Sequence, residues 1–382
     1  MRTHALVIGG GPAGSIAATV LARHGVETVL LERDLSYAKP CGGGMPSTAL
    51  EEFSIPQDVV TREIRKLRIV SPRGEEVAVE LTGGHLCMTR RGVLDSRLRE
   101  LAQQQGATVV EAEFLGFEER GREILSVLRM KATSETVRIR SNYVIAADGI
   151  TGRVASLLTL PRPPCLYTLS AQMKHSPPPA ELGRNGTESC EFWFGSVHAS
   201  QTYSWLFPGD DGDSVGTGAA DPKELARLFD TFIKRRYKQP VDNLVSTGMI
   251  GKKRLFKVPL WNGALFNIKN ILFAGDAAGT VMPVTYEGIY YAMKSGEFAA
   301  RAIIEGNPSL YRRLWNSRFK RRFFLMSRIR HHFFKDDDHI EKWVALHKKR
   351  EVQEIAMRLW LRKELGSGGL ISYIRCFRHL LS

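Results

Sequence analysis

The sequence predicts an α/β fold with an antiparallel sheet inserted into it and a helical region at its C-terminal end. Three observations carry this. A short apolar strand, a glycine-rich turn, a helix and a second strand follow one another within residues 1–32. Two further buried-strand patterns, ending in Asp148 and Asp276, lie far downstream. Between them run short aromatic and β-branched segments broken by turns, and beyond about residue 310 the pattern is helical and basic.

The chain has 382 residues, 25% charged and 43% hydrophobic. It can bury a large core in one to three domains. It lacks the run of about 18 apolar residues that a membrane-spanning helix needs. Residues 1–4 lead straight into the first strand, so neither a secretory apolar region nor a cleavage site is expected. Cys41, Cys87, Cys165, Cys190 and Cys376 are scattered and show no CxxC spacing. That pattern argues against a disulfide framework and a zinc site, so no metal is expected and the default setting is the reducing cytoplasm.

Taken in order, residues 5–8 form a short, glycine-bounded apolar strand. Residues 14–24 read as a helix with Ile16, Val20 and Leu21 on one side, stopped by Gly25. Residues 28–31 give a second strand ending at Glu32, completing a βαβ unit. A glycine loop follows at 39–46. Residues 92–105 read as a helix, 107–112 as a strand, 113–140 as hairpin strands and 143–147 as another buried strand. Proline clusters at 161–164 and 177–179 mark a change of domain. Residues 165–260 suggest an antiparallel sheet, 271–274 a buried strand and 287–305 a long helix.

Three motifs carry chemistry. Gly9, Gly11 and Gly14 form a GxGxxG turn with Pro12 and Ala13, between a strand and a helix. The first glycine permits the tight turn, the second lets the backbone approach a pyrophosphate, and the third allows close helix–strand packing. The helix N-terminus then offers free N–H groups to the phosphates. Glu32 stands where an acid accepts ribose hydroxyls, and an acid there disfavours a 2′-phosphate. The second motif is the strand end at Gly275 and Asp276, followed by small residues and by Glu287, Gly288 and Ile289. The third is Asp148 and Gly149, again at a strand end.

The order of these motifs resembles that of the flavoprotein monooxygenase and reductase superfamily, whose FAD-binding domain is assembled from separated segments. The resemblance implies a Rossmann-like FAD-binding domain. GxGxxG, with Arg33 beside Glu32, would meet the ADP part. Asp148 would close near the phosphates, and Asp276 would meet the ribitol and pyrophosphate. Residues 91–95, Arg91 to Asp95, resemble the superfamily segment whose arginine approaches FAD, with Arg90 and Arg97 competing for that role. One departure is Gly152, where the superfamily usually has Ser.

Within the superfamily, the loop Lys39, Pro40, Cys41, Gly42, Gly43, Gly44 resembles the KPCGG loop of geranylgeranyl reductases. Residues 287–296 are similar to their EGIYFAxKSG segment, and residues 203–208 to their YxWxFP motif. The likeness spans roughly 4–310. Two departures are Tyr286, where the family often has Gly, and Ser200, where it often has Pro. The resemblance implies FAD and reduction of isolated C=C bonds in a polyprenyl chain. It places Cys41, Gly42 and Gly43 near the flavin and Tyr286 near its ring. Cys41 reads either as a partly desolvated proton donor or as a small residue filling space. Tyr203 and Trp205 either line an apolar tunnel, joining Cys41 in the catalytic set, or pack the core. The alternative activity is that of an FAD monooxygenase or halogenase, whose WxWxIP motif residues 203–208 also resemble. A non-enzymatic electron relay is a third reading. No second nucleotide fingerprint appears, so the external reductant is either NADPH or a ferredoxin-like donor.

These readings divide the chain into an FAD-binding domain (1–60, 90–163 and 265–310), a substrate domain (61–89 and 164–264) and a basic helical C-terminal region (311–382). The net charge is +14, and residues 312–335 hold nine Lys/Arg and no acid. Trp315, Phe319, Phe323, Met326, Ile329 and Phe333 recur at spacings of three and four and make one apolar stripe. Such a helix either inserts into an anionic membrane surface or packs on the protein's own core. No nucleic-acid-binding motif accompanies the charges, so nucleic acid is not expected as a partner. The expected location is cytoplasmic, or peripheral on the inner face of a membrane.

Overall fold

The computed structural model describes residues 1–174, 189–263 and 265–363. The second proline cluster, Cys376 and the C-terminal region beyond 363 lie outside the described residues. The chain packs into two compact units. The first is Met1–Lys39, Gly92–Cys165 and Val258–Phe324, and the second is Pro40–Arg91, Leu166–Lys257 and the residues from Leu325 on. Compact packing thus divides the chain at 39/40 and 91/92, where the sequence suggested 60/61 and 89/90. Strand Gly44–Pro46 pairs with Leu86–Met88, which draws the end of the glycine loop into the second unit.

In the first unit, strand Arg2–Ile8 runs parallel to Thr28–Glu32 on one side and to Thr136–Ala146 on the other. Thr108–Arg120 extends the sheet beyond Thr28–Glu32, and Ile271–Phe273 extends it beyond Thr136–Ala146, both parallel. A sheet of this kind is covered on both faces, which is why Ala5, Leu6, Val7 and Ile8 are all apolar and all buried. Residues 108–146 also form the expected meander, Thr108–Arg120 with Ile124–Met130 and then Thr136–Ala146, antiparallel throughout. Helix Pro12–Arg23 packs against helix Ile289–Ile304 at backbone distance. A Cβ on Gly296 would overlap the Ala13 carbonyl oxygen.

The second unit holds a seven-stranded sheet in the order 254–259, 165–173, 213–219, 203–207, 189–194, 66–70, 76–80. It is antiparallel along Cys165–Met173, Asp213–Ala219, Tyr203–Phe207 and Ser189–Phe194. Ser189–Phe194 then runs parallel to Lys66–Val70. That strand comes from a separate stretch of chain, so no hairpin dictates its direction. Helix Leu225–Tyr237 interrupts what the sequence suggested was continuous sheet. Its Leu228, Phe229, Phe232 and Ile233 are fully buried, three of them in one cluster with Leu206 and Val215 of the sheet. Helices Arg321–Phe333, Asp337–Leu346 and Arg350–Trp360 follow, in the region expected to be helical.

Candidate functional site

The residues singled out from sequence fall into two groups, one in each unit. In the first unit Gly9, Gly11, Pro12, Ala13 and Gly14 form the turn into helix Pro12–Arg23, with Gly11 at its N-cap. Gly9 has φ of 106°, and a Cβ there would strike the Ala147 carbonyl. A Cβ on Gly14 would strike the Gly9 carbonyl, whereas a Cβ on Gly11 would meet nothing within 4 Å. Two glycines are thus fixed by the fold, and the third leaves an open approach to the helix N-terminus. Gly10 N–H donates to Glu32 Oε2 at 2.8 Å, and Asp34 N–H donates to Glu32 Oε1 at 3.2 Å. Glu32 therefore props the loop through both carboxylate oxygens. Arg33, beside it, is exposed. Sequence reading missed Arg99, which is buried and donates to Gly10 O at 3.2 Å and Leu35 O at 2.8 Å. The signal was a third basic position on helix Arg91–Gln104, two turns beyond Arg91.

The Asp148 carboxylate accepts from Val154 N–H at 2.9 Å and so caps helix Arg153–Leu157. Burial pushes its pKa up, against the lowering effect of these backbone hydrogen bonds. The neighbouring backbone, Ala147 and Asp148 Cα, packs on Gly9. Gly275 has φ of 64°, and its N–H donates to Ser295 Oγ at 2.7 Å. A Cβ on Gly275 would lie 3.0 Å from Ala13 Cβ, so Asp276 follows a residue packed on the start of helix Pro12–Arg23. A Cβ on Gly288 would lie 4.0 Å from Asp276 Oδ1, and Ile289 opens the next helix behind it. Gly9, Gly11, Glu32, Asp276 and Gly288 are thereby gathered around one helix N-terminus. Lys39, to which the sequence reading gave no role, places its Nζ 2.5 Å from Asp276 Oδ2.

In the second unit Tyr203, Trp205 and Phe207 share one face of their strand, while Leu206 on the other face joins the core under helix Leu225–Tyr237. Phe192 and Phe194 on the adjacent strand meet the Tyr203 ring edge-on at 5.1 and 5.7 Å. Trp205 lies across Gly216, where a Cβ would enter its ring, and Nε1 donates to Ser214 Oγ at 3.3 Å. Gly42 backs directly onto the Phe207 ring, so the glycine loop and the aromatic strand meet. Gly43, at φ of 76°, hydrogen-bonds through its carbonyl to Thr89 N–H at 3.0 Å. Cys41 is exposed rather than partly desolvated, and its Sγ accepts from Gly43 N–H at 3.4 Å. Of the competing arginines, Arg91 is buried, Arg90 pairs with Asp211 at 2.5 Å and Arg97 with Glu100 at 3.0 Å.

The apolar stripe of the basic segment is not available to a bilayer. Trp315, Phe319 and Phe323 are all 0% exposed. They pack against Trp261, Phe266 and Tyr291 in the first unit. Ile329 and Phe333 are buried too. Insertion of this stripe into a membrane is therefore corrected: the periodicity matched the helix's own core. Among the described residues no helix is long and apolar enough to cross a membrane, and no group of His, Cys, Asp and Glu could hold a metal ion.

The sequence profile of the FAD binding domain family matches residues 2–305. Over 334 residues the chain is 33% identical to the chloroplastic geranylgeranyl diphosphate reductase of Oryza sativa, covering 84% of this chain and 70% of that one. The chain belongs to the geranylgeranyl reductase family of FAD-binding oxidoreductases. It is also 29% identical to a digeranylgeranylglycerophospholipid reductase of Thermoplasma acidophilum, over 90% of this chain and 86% of that one. The crystal structure of a geranylgeranyl bacteriochlorophyll reductase-like protein from the same organism shares the fold. It has a TM-score of 0.82 and 22% identity, over 99% of this chain and 98% of that one.

The structure explains two departures from the motifs of the geranylgeranyl reductase family and its superfamily. At Gly152 a Cβ would overlap the Asp148 carboxyl group, so serine there would require that side chain to leave the place from which it accepts from Val154 N–H. Ser200 N–H donates to Gly218 O at 3.0 Å, a bond that proline could not make. The third departure is strained. Tyr286 has φ of 52° and Val284 of 74°, a region that bulky and β-branched residues avoid.

Proposed function

We propose that this chain reduces isolated carbon–carbon double bonds in a polyprenyl chain of geranylgeranyl type. The observation that carries the reading is Gly42 seated on Phe207, which sets Cys41 beside an aromatic face suited to a long apolar chain. Both related reductases named above act, by their names, on geranylgeranyl compounds that differ in head group. FAD, when bound and reduced, supplies the hydride equivalent. Gly9, Gly11, Pro12, Ala13 and Gly14 would hold its diphosphate, Glu32 and Arg33 its adenosine ribose, and Gly275, Asp276, Gly288 and Ile289 its ribityl chain. Asp148 would support the loop through its backbone, and Arg91, Gly42 and Gly43 would border the ring.

An isolated alkene has no carbonyl to polarise, so the protein must supply position and an acid. Hydride goes to one alkene carbon and a proton to the other, giving the saturated bond. Cys87 and Cys190 are buried, and burial holds the Cys87 thiol as high as about 12. Cys41 is exposed and is the proton donor in this reading, with a tyrosine or water as the alternative acid. Tyr203 and Trp205 shape the path of the prenyl chain. NADPH or a ferredoxin-like protein would reduce the flavin again. The test is product analysis from a mixed prenyl panel with chemically reduced enzyme, without oxygen. Reduced product is expected. A strict oxygen requirement, or hydroxylated or halogenated product, overturns the reading in favour of a monooxygenase or halogenase. Cys41→Ala should retain FAD and lose about 10²–10⁴-fold in turnover, the usual range of general-acid effects, and a loss of less than about tenfold overturns this role.

The basic segment serves the same reading through charge alone. Arg312, Arg313, Lys320, Arg321 and Arg328 are exposed, and Phe324 among them is 60% exposed. Cations near an anionic surface contribute about 1 kcal/mol each. Arg312→Glu/Lys320→Glu/Arg321→Glu should lose co-sedimentation with anionic vesicles at low salt. Equal sedimentation of variant and wild type removes the membrane from the reading.

A further inference from the structure

Lys39 and Asp276 are 237 residues apart in sequence, yet Nζ and Oδ2 lie 2.5 Å apart with side chains only 25% and 12% exposed. Many of the other ion pairs lie on the surface, as Arg138–Glu118 does at 57% and 39% exposed, and such pairs contribute about 0–1 kcal/mol. Partial burial of both groups raises the desolvation cost of the Lys39 pair above that of a surface pair.

The surroundings of Asp276 suggest a use for the pair. Gly275 packs on Ala13, so the carboxylate stands by the N-terminus of helix Pro12–Arg23. Glu32, hydrogen-bonded to Gly10, brings a second carboxylate to the same loop. A dinucleotide diphosphate adds about two further negative charges against a helix-end charge of only about +0.5. Arg99 offers one cation, whose Nη1 and Nη2 donate to the Gly10 and Leu35 carbonyls. Without another positive charge, the carboxylate that would accept ribityl hydroxyls would repel the phosphates beside it.

We propose that Lys39 is a cofactor-positioning residue. Its ammonium fixes the Asp276 carboxylate and offsets its charge, so that a carboxylate and a dianionic diphosphate share one helix end. This rests on assigning Asp276 to FAD in the reading above.

The test is FAD affinity of the FAD-stripped full chain, by flavin fluorescence at low and high salt, for Lys39→Met, Lys39→Arg, Asp276→Asn and the Lys39→Met/Asp276→Asn pair. Thermal melts alongside establish that each variant folds. Lys39→Met should bind FAD at least tenfold more weakly. Lys39→Arg should stay within about threefold of wild type, since the charge is kept. The double variant should bind more tightly than the two single losses multiplied together, because removing the carboxylate also removes the need for its counter-ion. Wild-type affinity in Lys39→Met, with a clear loss in Asp276→Asn, overturns the role of Lys39 and leaves the Asp276 assignment standing. Unchanged affinity in every variant overturns both.

Discussion

In the first unit Gly9, Gly14 and Gly296 face main chain: a Cβ on each would enter a carbonyl of Ala147, Gly9 or Ala13. In the second unit Gly42 and Gly216 face rings, those of Phe207 and Trp205. Carbonyls belong to strands and helices and have nowhere to go, whereas a ring can turn. At Gly9, Gly14 and Gly296 the packing is thus against backbone and tolerates little change. Beside the aromatic strand the close contacts at Gly42 and Gly216 are with side chains, although Gly43 in the same loop faces the Thr89 carbonyl.

The largest effect that would sharpen this contrast comes from two glycines near one helix. Gly296→Val should destabilise the fold by about 3 kcal/mol, the upper end of overpacking costs, because the added group meets backbone. Gly11→Val should fold like wild type yet purify colourless, since its Cβ points into open space where the diphosphate would lie. Thermal melts and flavin absorbance check both. Equal melting of the two variants would break the distinction between structural and ligand-facing glycines.

An effect of similar size belongs to the second unit and to acid. His198 is fully buried, with Nδ1 3.2 Å from Ser204 Oγ. Burial, aided by Arg235 and opposed by Asp337, lowers its pKa to about 4. Between the unfolded value of about 6.5 and that folded value, the unfolded chain binds the extra proton. Stability should therefore fall as pH drops through this window, by roughly 3 kcal/mol in all. His198→Gln should flatten that slope in denaturant titrations run from pH 7 to 4.

The smallest effect has the opposite sign. Tyr286 at positive φ costs about 1–2 kcal/mol, part of which glycine returns through its greater freedom in the unfolded chain. Tyr286→Gly should raise stability by up to about 1 kcal/mol, seen as a rise in Tm of roughly 2 °C. A fall in Tm would mean that its side chain contributes more than the strained backbone costs.

Much of the first unit is legible in the sequence alone. Strand Arg2–Ile8, the glycine turn and Glu32 follow from local rules: a strand buried on both faces must be apolar, and a phosphate turn must be glycine. Helix Leu225–Tyr237 was not found, although Leu225, Leu228, Phe229, Phe232 and Ile233 carry helical spacing. Its aromatic and branched residues matched the neighbouring strands in composition, and period should have outweighed composition. Lys39 and Arg99 were illegible for a different reason. Their partners lie 237 and 89 residues away, and no local pattern encodes that. The stripe at 315–333 marks the limit of periodicity itself, which identifies a buried face but not what covers it.

The contact between helices Pro12–Arg23 and Ile289–Ile304 also governs when this protein can finish folding. On the ribosome the first βαβ segment emerges early, but its helix stays uncovered until the chain has grown past Gly296. At about 5–20 residues per second that wait lasts some tens of seconds. Strand Ile271–Phe273 arrives equally late to close the parallel sheet, while most strands of the second unit are already complete. Pairings of such high sequence separation fold slowly and leave apolar surface exposed meanwhile. The glycine turn at residues 9–14, which precedes both partners in the chain, is thus expected to become rigid only after they have been made.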